Sequence, residues 1–239
     1  MSEPLAIVCW RWKPPIEDYR STYAPETVNT LKRMIDRHYP DPHVVICCTD
    51  DPAGIDPDVK IVPIWDDFST LPHPHSSRHP SCYRRLRAFS PEMREVFGPR
   101  FVSIDLDCVI LDDLRPLWNR PEPFVGLAGM HKRTYYNGSM FLLTAGSRPN
   151  VWKDFRPAYS PRLARVAGHY GSDQAWISYA LGPNEARWSK NDGVYSYRLN
   201  VQPRGGVLPA DARVVFFNGR EDPWGAEAQA LPWIQEHYR

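Results

Sequence analysis

Phe101-Val-Ser-Ile-Asp-Leu-Asp-Cys-Val-Ile-Leu-Asp-Asp113 decides how the chain is read: an apolar run delivers Asp105 and Asp107 at its end, then turns apolar again. Residues two apart on a strand point to the same side of the pleat. The spacing therefore predicts two carboxylates side by side at a strand end, where one divalent cation can bridge them to a diphosphate. Asp-x-Asp after a strand also arises as ordinary loop acidity, so the pair is weighed with what surrounds it.

Upstream, residues 5–10 (Leu-Ala-Ile-Val-Cys-Trp) read as a first buried strand. From Pro25, the positions Val28, Leu31, Ile35 and His38 follow helical spacing until Tyr39-Pro40 stops the helix. Residues 43–48 form a second strand ending in Thr49-Asp50-Asp51, and residues 59–62 a third. Strand, helix, strand at this spacing implies parallel pairing with ligands outside the carboxyl ends of the strands. Asp50 and Asp105 both occupy such ends. A helix with apolar face Leu86, Phe89, Met93 and Phe97 is expected ahead of the acidic strand, carrying Arg84, Arg85 and Arg87. Beyond it, residues 124–128 and 139–143 read as strands around a Gly/Tyr loop. Ser172 is expected to cap a helix with Asp173 and Gln174 in its first turn, and residues 213–217 form a last strand ending in Asn218-Gly219.

Composition narrows the setting. With 239 residues, 42% hydrophobic and 24% charged, the chain can bury one sizeable core, and a single α/β domain over residues 1–239 is expected. A formal charge of +1 excludes a globally basic nucleic-acid binder while leaving room for a local patch. Cys9, Cys47, Cys48, Cys82 and Cys108 form no metal-type spacing and read as free thiols of a reducing compartment. No signal-peptide pattern and no apolar run of membrane-spanning length is visible, which gives the expectation of a cytoplasmic protein. The 25 prolines lie between periodic segments and so suggest long ordered loops rather than a linker.

A nucleoside-diphosphate sugar needs charge stabilised on its departing diphosphate, by a bound Mg²⁺ or Mn²⁺ aided by Arg or Lys. The chain offers Asp105 and Asp107, the guanidinium groups of Arg84, Arg85 and Arg87, and the flat rings of Trp10, Trp12, Tyr19 and Tyr23. The rings can equally be packing residues, and an arginine run is usually a solvated helix face. His73, His75 and His79 are too irregularly spaced for a metal site and read as loop histidines, and Trp224 after Pro223 as structural.

Asp105-Leu-Asp107 resembles the DxD motif of GT-A-fold glycosyltransferases. The order of further blocks is similar to the glycogenin and lipopolysaccharide-galactosyltransferase-like families and their prophage-encoded relatives. The blocks are Cys48-Thr-Asp50-Asp-Pro-Ala-Gly54-Ile, Arg85-Leu-Arg-Ala-Phe89, Asn137-Gly-Ser-Met-Phe-Leu-Leu143, Gly171-Ser-Asp173-Gln174 and Phe217-Asn-Gly219-Arg-Glu-Asp-Pro-Trp224. The resemblance implies a GT-A type three-layer α/β fold, with a Rossmann-like, nucleotide-binding mixed sheet flanked by helices. It implies a metal-dependent, retaining hexosyltransferase using a nucleotide-sugar donor of UDP type and Mn²⁺ or Mg²⁺. Carried over by position, it places Trp10 and Asp50 at the base and ribose, Leu106 beneath the ribose, and Arg85 toward donor phosphates or sugar. Asp105 and Asp107 would hold the metal; Asn137, Gly138 and Ser139 would border the sugar and acceptor; Asp173 and Gln174 would contact the transferred sugar near the reacting carbon. Two positions depart from the pattern. Asn218, before Gly219, stands where relatives carry a metal-binding His, and its carbonyl oxygen suits Mg²⁺ or Mn²⁺. Asp222 stands where relatives carry a phosphate-binding Lys, leaving Arg220 or the arginines near residue 85 to supply that charge.

Two other functions fit parts of the chain. Ile104-Asp-Leu-Asp-Cys-Val-Ile110 matches haloacid-dehalogenase-like phosphatases, whose first Asp is a phosphorylated nucleophile, but three strands precede it and Lys132, Lys153 and Lys190 lack a convincing context. A non-catalytic nucleotide-sugar-binding module is suggested by Asn218 and Asp222. For the acceptor, residues 71–81 and 131–136 are candidate loops. A glycan is the default; the arginine-rich segment and the loop with Arg133 and Tyr136 would suit a hydroxymethylated base in DNA, against which the near-zero net charge argues.

Overall fold

The computed structural model describes residues 3–13, 23–75, 80–130 and 134–239. Tyr19, His79 and the segment His131 to Arg133 lie outside the described residues.

Ten strands form two sheets among the described residues. They are β1 (Leu5–Arg11), β2 (His43–Thr49), β3 (Lys60–Pro63), β4 (Arg100–Ile104), β5 (Cys108–Ile110), β6 (Phe124–Ala128), β7 (Tyr136–Thr144), β8 (Ala186–Trp188), β9 (Val194–Ser196) and β10 (Val214–Phe216). The larger sheet runs β3-β2-β1-β4-β7-β6-β8 and the smaller β5-β10-β9. β3, β2, β1 and β4 are mutually parallel, as expected of the first half; β7 then runs antiparallel to both β4 and β6.

Alternation along the strands sorts the core into two layers. On β1, Ile7 and Cys9 face one side while Ala6, Val8 and Trp10 face the other. On β7, Met140 and Leu142 join the first layer, Phe141 and Leu143 the second. The helix Pro25–His38 covers the first layer with Val28, Leu31, Met34 and Ile35, all fully buried. Its Pro sits in the first turn, Glu26 lies near the positive end of the helix dipole, and Arg37 and His38 lie near the negative end, as those residues favour. The second layer is aromatic: Phe141 lies 5.1 Å from Phe89 and 6.3 Å from both Phe101 and Phe124, measured between ring centres. No helix among the described residues is long and apolar enough to cross a membrane. Cys9, Cys47, Cys48 and Cys108 are buried free thiols and Cys82 is half-buried; burial pushes the Cys48 and Cys108 thiols well up.

Three local expectations need correction. The single helix expected to carry Leu86, Phe89, Met93 and Phe97 is two pieces, a tight 3₁₀ segment Tyr83–Phe89 and a short helix Met93–Phe97. Ser90, which precedes Pro91, is extended at φ −66°, ψ 137°, because the proline ring disfavours helical geometry in the residue before it. Ser172 stands at the N-cap position of the helix Asp173–Leu181 without capping it through its side chain; its hydroxyl instead accepts the Cys82 backbone N–H at 2.9 Å. The strand expected over residues 139–143 begins earlier, at Tyr136, and so takes in Asn137 and Gly138.

Phe141 is central to the aromatic layer, so Phe141→Ala should destabilise the fold by about 3–5 kcal/mol. Urea unfolding monitored by circular dichroism checks this through the shift in midpoint at constant slope.

Candidate functional site

The acidic pair sits where the chain changes sheets. β4 ends at Ile104 in the larger sheet, β5 begins at Cys108 in the smaller one, and Asp105, Leu106 and Asp107 form the non-strand link between them. The reading of two carboxylates on one pleat is thereby corrected: their positions are set by backbone hydrogen bonds to both sheets. Asp105 N–H donates to the Ser139 carbonyl on β7 at 2.8 Å, and Phe217 N–H, just past β10, donates to the Asp107 carbonyl at 2.8 Å. Leu106 points into the core and is 1% exposed.

Arg85 holds this link to the helix Asp173–Leu181. Its Nε donates to Asp173 Oδ2 at 2.8 Å, its Nη2 lies 2.7 Å from the same oxygen, and its Nη1 donates to Asp105 Oδ1. Arg85 and Asp173 are 7% and 3% exposed. Burial opposes the charge on Arg85, but Asp173 and Asp105 outweigh it and hold the guanidinium firmly protonated. Burial raises the Asp173 carboxyl above its ordinary range, with Arg85 opposing the rise and Asp105 adding to it.

Gly138 is the close approach that permits this packing. A Cβ there would lie 2.8 Å from Arg85 Nη2 and 3.2 Å from Asp173 Oδ2. Its N–H donates to Gln174 Oε1 at 3.2 Å, while Gln174 Nε2 donates to the Tyr170 carbonyl at 2.9 Å, so the amide is held at both ends. Asn137 Oδ1 accepts Ser139 N–H at 2.7 Å, and Ser139 Oγ accepts Asn218 Nδ2 at 2.8 Å.

Two adjoining spaces share Arg85 and Asp105. One is a cleft of about 90 Å³ lined by Trp10, Trp12, Tyr23 and Leu106. The other is an open cavity of about 280 Å³ lined by Asn137, Gly138, Ser139, Gln174, Asn218 and Gly219. Trp10 is fixed by an N–H bond to Ser103 Oγ at 2.8 Å and an edge contact with Trp65. Burial, with Asp107, Asp105 and Asp222 nearby, pushes the Tyr23 hydroxyl well up, so this phenol stays neutral beside the acidic link.

The other sequence candidates are distributed differently. Asp50 is exposed at the end of β2, where its carboxylate accepts Lys13 N–H at 3.2 and 3.3 Å; it lines neither space. Asp173 lies behind Arg85 and Gly138, while Gln174 faces the cavity. Of the three arginines, only Arg85 reaches the site: Arg84 bonds the Trp65 carbonyl and Arg87 bonds Asp67, because the tight 3₁₀ segment splays successive side chains apart. Trp224 packs against Tyr23 and Tyr238, in keeping with a structural role. Arg198, Met130 and Tyr170 also line the larger cavity. None of them carries a sequence signal, since each comes from a segment without a motif.

No three His, Cys, Asp or Glu side chains among the described residues gather as a metal cluster. An oxygen-donor set remains: the carboxylates of Asp105 and Asp107 and the amide of Asn218. Asn218 Oδ1 is buried and accepts no hydrogen bond, its Nδ2 being engaged by Ser139. An orphaned buried carbonyl beside an acidic pair fits Mg²⁺ or Mn²⁺, which take oxygen ligands.

The parallel β3-β2-β1-β4 half-sheet, the antiparallel β7 beside it and the small second sheet leaving from the acidic link make up the GT-A glycosyltransferase fold. The galactosyltransferase LgtC, solved in complex with donor and acceptor sugar analogues, superposes with a TM-score of 0.62 at 16% identity over 97% of this chain and 94% of that one. The apo-form glycosyltransferase GlyE of Streptococcus pneumoniae TIGR4 gives 0.59 at 11% identity, and the apo bifunctional WbbM gives 0.57 at 13%. The chain covers 63% of GlyE and 51% of WbbM. No protein-family model and no curated protein matches the sequence.

Gly138→Ala should displace Arg85 by the overlap at Nη2 while leaving both core layers intact. The overlap is expected to cost about 1–3 kcal/mol, the range for an added methyl in a well-packed interior. Urea unfolding checks this through the shift in midpoint; an unchanged midpoint would remove the close approach from the packing of Arg85.

Proposed function

We propose that the protein is a metal-dependent glycosyltransferase that moves a hexose from a nucleoside-diphosphate sugar, of UDP type, to an acceptor hydroxyl with retention of configuration. The reading is carried by one observation: an aromatic cleft with an apolar floor opens, across Arg85 and Asp105, into a polar cavity bordered by Gln174, Asn137–Ser139 and Asn218-Gly219. Rings and Leu106 suit a base and ribose, the larger cavity suits a sugar, and the shared charged boundary suits the diphosphate between them.

In the proposed reaction the bond from the anomeric carbon to the β-phosphate oxygen breaks, and its electron pair stays on that oxygen. The acceptor oxygen bonds to the carbon, and its proton passes to the departing phosphate. Asp105, Asp107 and Asn218 would hold a Mg²⁺ or Mn²⁺ ion, which supplies Lewis-acid stabilisation of the leaving diphosphate. Gln174, held at both ends of its amide, presents a fixed dipole to the sugar. Asp173 serves as a positioning residue: with both its Arg85 contacts on one oxygen and almost no exposure, it orients the guanidinium rather than attacking the sugar. Trp10 walls the base site, while Asp50 stands outside it at the neighbouring strand end, near Arg84, which lies 5.9 Å over the Trp12 ring.

The phosphatase reading is disfavoured by the fold, which places β1, β2 and β3 before the acidic strand. A glycan is the acceptor favoured, and the open cavity edge at Met130 and Tyr170 is where it would enter.

Incubation with a panel of nucleotide sugars and Mn²⁺ or Mg²⁺ should release sugar slowly in the absence of acceptor, and EDTA should stop it. Asp107→Ala should lower this release by at least about 10²-fold, as loss of an electrostatic stabiliser does, with the fold retained by circular dichroism. Full activity in that variant would overturn the site assignment, and donor binding without any release would identify a binding module.

A further inference from the structure

We infer that Arg198 supplies the positive charge that grips the donor's terminal phosphate, in place of the lysine absent at Asp222. This rests on the glycosyltransferase reading above and assigns one of its parts to a residue outside every motif block.

The charge count around the acidic link calls for such a residue. Asp105 stands on the boundary between cleft and cavity, Asp107 follows two residues on and Asp173 lies behind Arg85, so three carboxylates gather around a guanidinium that is engaged by two of them. A divalent ion would bring this group close to neutrality, leaving a diphosphate without a counter-charge. Most other nearby arginines are committed elsewhere. Arg84 and Arg87 serve Trp65 and Asp67, and Arg11 serves the Tyr23 and Asp51 carbonyls. Arg220 lies on an outer cavity beside Glu221, away from the space shared by Arg85 and Asp105.

Arg198 is placed differently. It lines both that outer cavity and the sugar cavity, with Arg85, Asp105 and Asn218 around the latter. No carboxylate among the described residues pairs with it, and its side chain is exposed. The backbone beneath it is anchored at both ends. Arg198 belongs to a single wide π-type turn, Tyr197–Val201, whose ends are buried at 3% and 0% exposure. Tyr197 stacks on Phe217 with ring centres 4.3 Å apart and an interplanar angle of 12°. Asn200 Oδ1 closes the turn by accepting Ser196 N–H at 2.9 Å. A wide turn with buried ends presents its second residue to solvent at a fixed place, and such turns recur at functional sites.

The Arg198 stem packs against Gly219. A Cβ on Gly219, at φ +155°, would lie 3.2 Å from Arg198 Cδ and 3.6 Å from its Nε. The bare glycine therefore lets the arginine stem lie against the backbone just past Asn218, on the wall of the cavity that Asp105 and Asn218 also line. A guanidinium also matches phosphate oxygens in bidentate fashion, which an ammonium does not.

The test separates phosphate recognition from base recognition. Isothermal titration with uridine, guanosine and adenosine di- and monophosphates at fixed Mg²⁺ should show the unchanged protein preferring the diphosphate of one base. Arg198→Gln should weaken that diphosphate at least about tenfold, a change of about 1.4 kcal/mol, leave the monophosphate within about twofold, and keep the thermal midpoint. Arg198→Lys should recover part of the loss, and Arg220→Gln should leave the diphosphate preference intact. Unchanged diphosphate affinity in Arg198→Gln, or an equal loss for both nucleotides, would overturn the assignment. Failure of the unchanged protein to bind any nucleotide would instead overturn the donor reading on which it rests.

Discussion

One buried guanidinium, Arg85, organises the site by lying between two carboxylates from separate elements: Asp105 on the link between the sheets and Asp173 at the start of a helix. Desolvating an arginine and two acids is costly, and the cost is recovered only when geometry is tight and remaining donors are satisfied. The packing supplies both conditions. Gly138 leaves room for Nη2, Gln174 closes over the Gly138 amide, and Ser172 engages the segment that carries Arg85 through the Cys82 N–H. The arrangement joins the 3₁₀ segment, β7, the acidic link and the helix Asp173–Leu181. Rearrangement of any one of these shifts the charge facing the cavity.

The acidic link owes its place to topology. Parallel strands leave ligand sites beyond their carboxyl ends, and here β4 ends beside β1, whose last residues carry Trp10 and Arg11. The chain then crosses to the small sheet within three residues, so Asp105 is bonded to one sheet and Asp107 to the other. Ser139 ties both sides together, its carbonyl receiving Asp105 N–H and its hydroxyl receiving Asn218. A site built across two sheets is held from both sides without being enclosed.

Much of the first half-sheet was legible because local pattern and tertiary demand agree there. The buried runs of β1 and β2, the helical spacing from Pro25 and the stop at Tyr39-Pro40 all point one way. The motif blocks also identified residues that converge on the site: Arg85, Asp105, Leu106, Asn137, Gly138, Gln174, Asn218 and Gly219 all line its two spaces. Other features were not legible, for distinct reasons. The apolar spacing of Leu86, Phe89, Met93 and Phe97 fits a continuous helix, and only the backbone restriction before Pro91 breaks it. The switch of sheet at Asp105 is a long-range event that no strand period records. Three adjacent arginines look alike in sequence, yet a 3₁₀ turn sends them to three different partners. Arg198 lies 93 residues beyond Asp105 on a turn without periodicity, so only the fold brings it there.

The two departures at Asn218 and Asp222 are best understood together. Replacing an imidazole by an amide keeps a neutral donor and exchanges nitrogen for oxygen, so the charge near the acidic pair is unaltered. Replacing a lysine by an aspartate changes local charge by two units, a difference worth several kcal/mol at contact distance in a partly desolvated site. The first exchange is self-sufficient, because Ser139 orients the amide and leaves its buried carbonyl oxygen without a donor. The second demands compensation from outside the segment. A turn locked by the Tyr197–Phe217 stack, with Gly219 cleared of a side chain, is a structural means of delivering it. That clearance keeps the Arg198 stem on the wall of the cavity that Asp105 and Asn218 also line, a position from which Asp222 offers no positive charge.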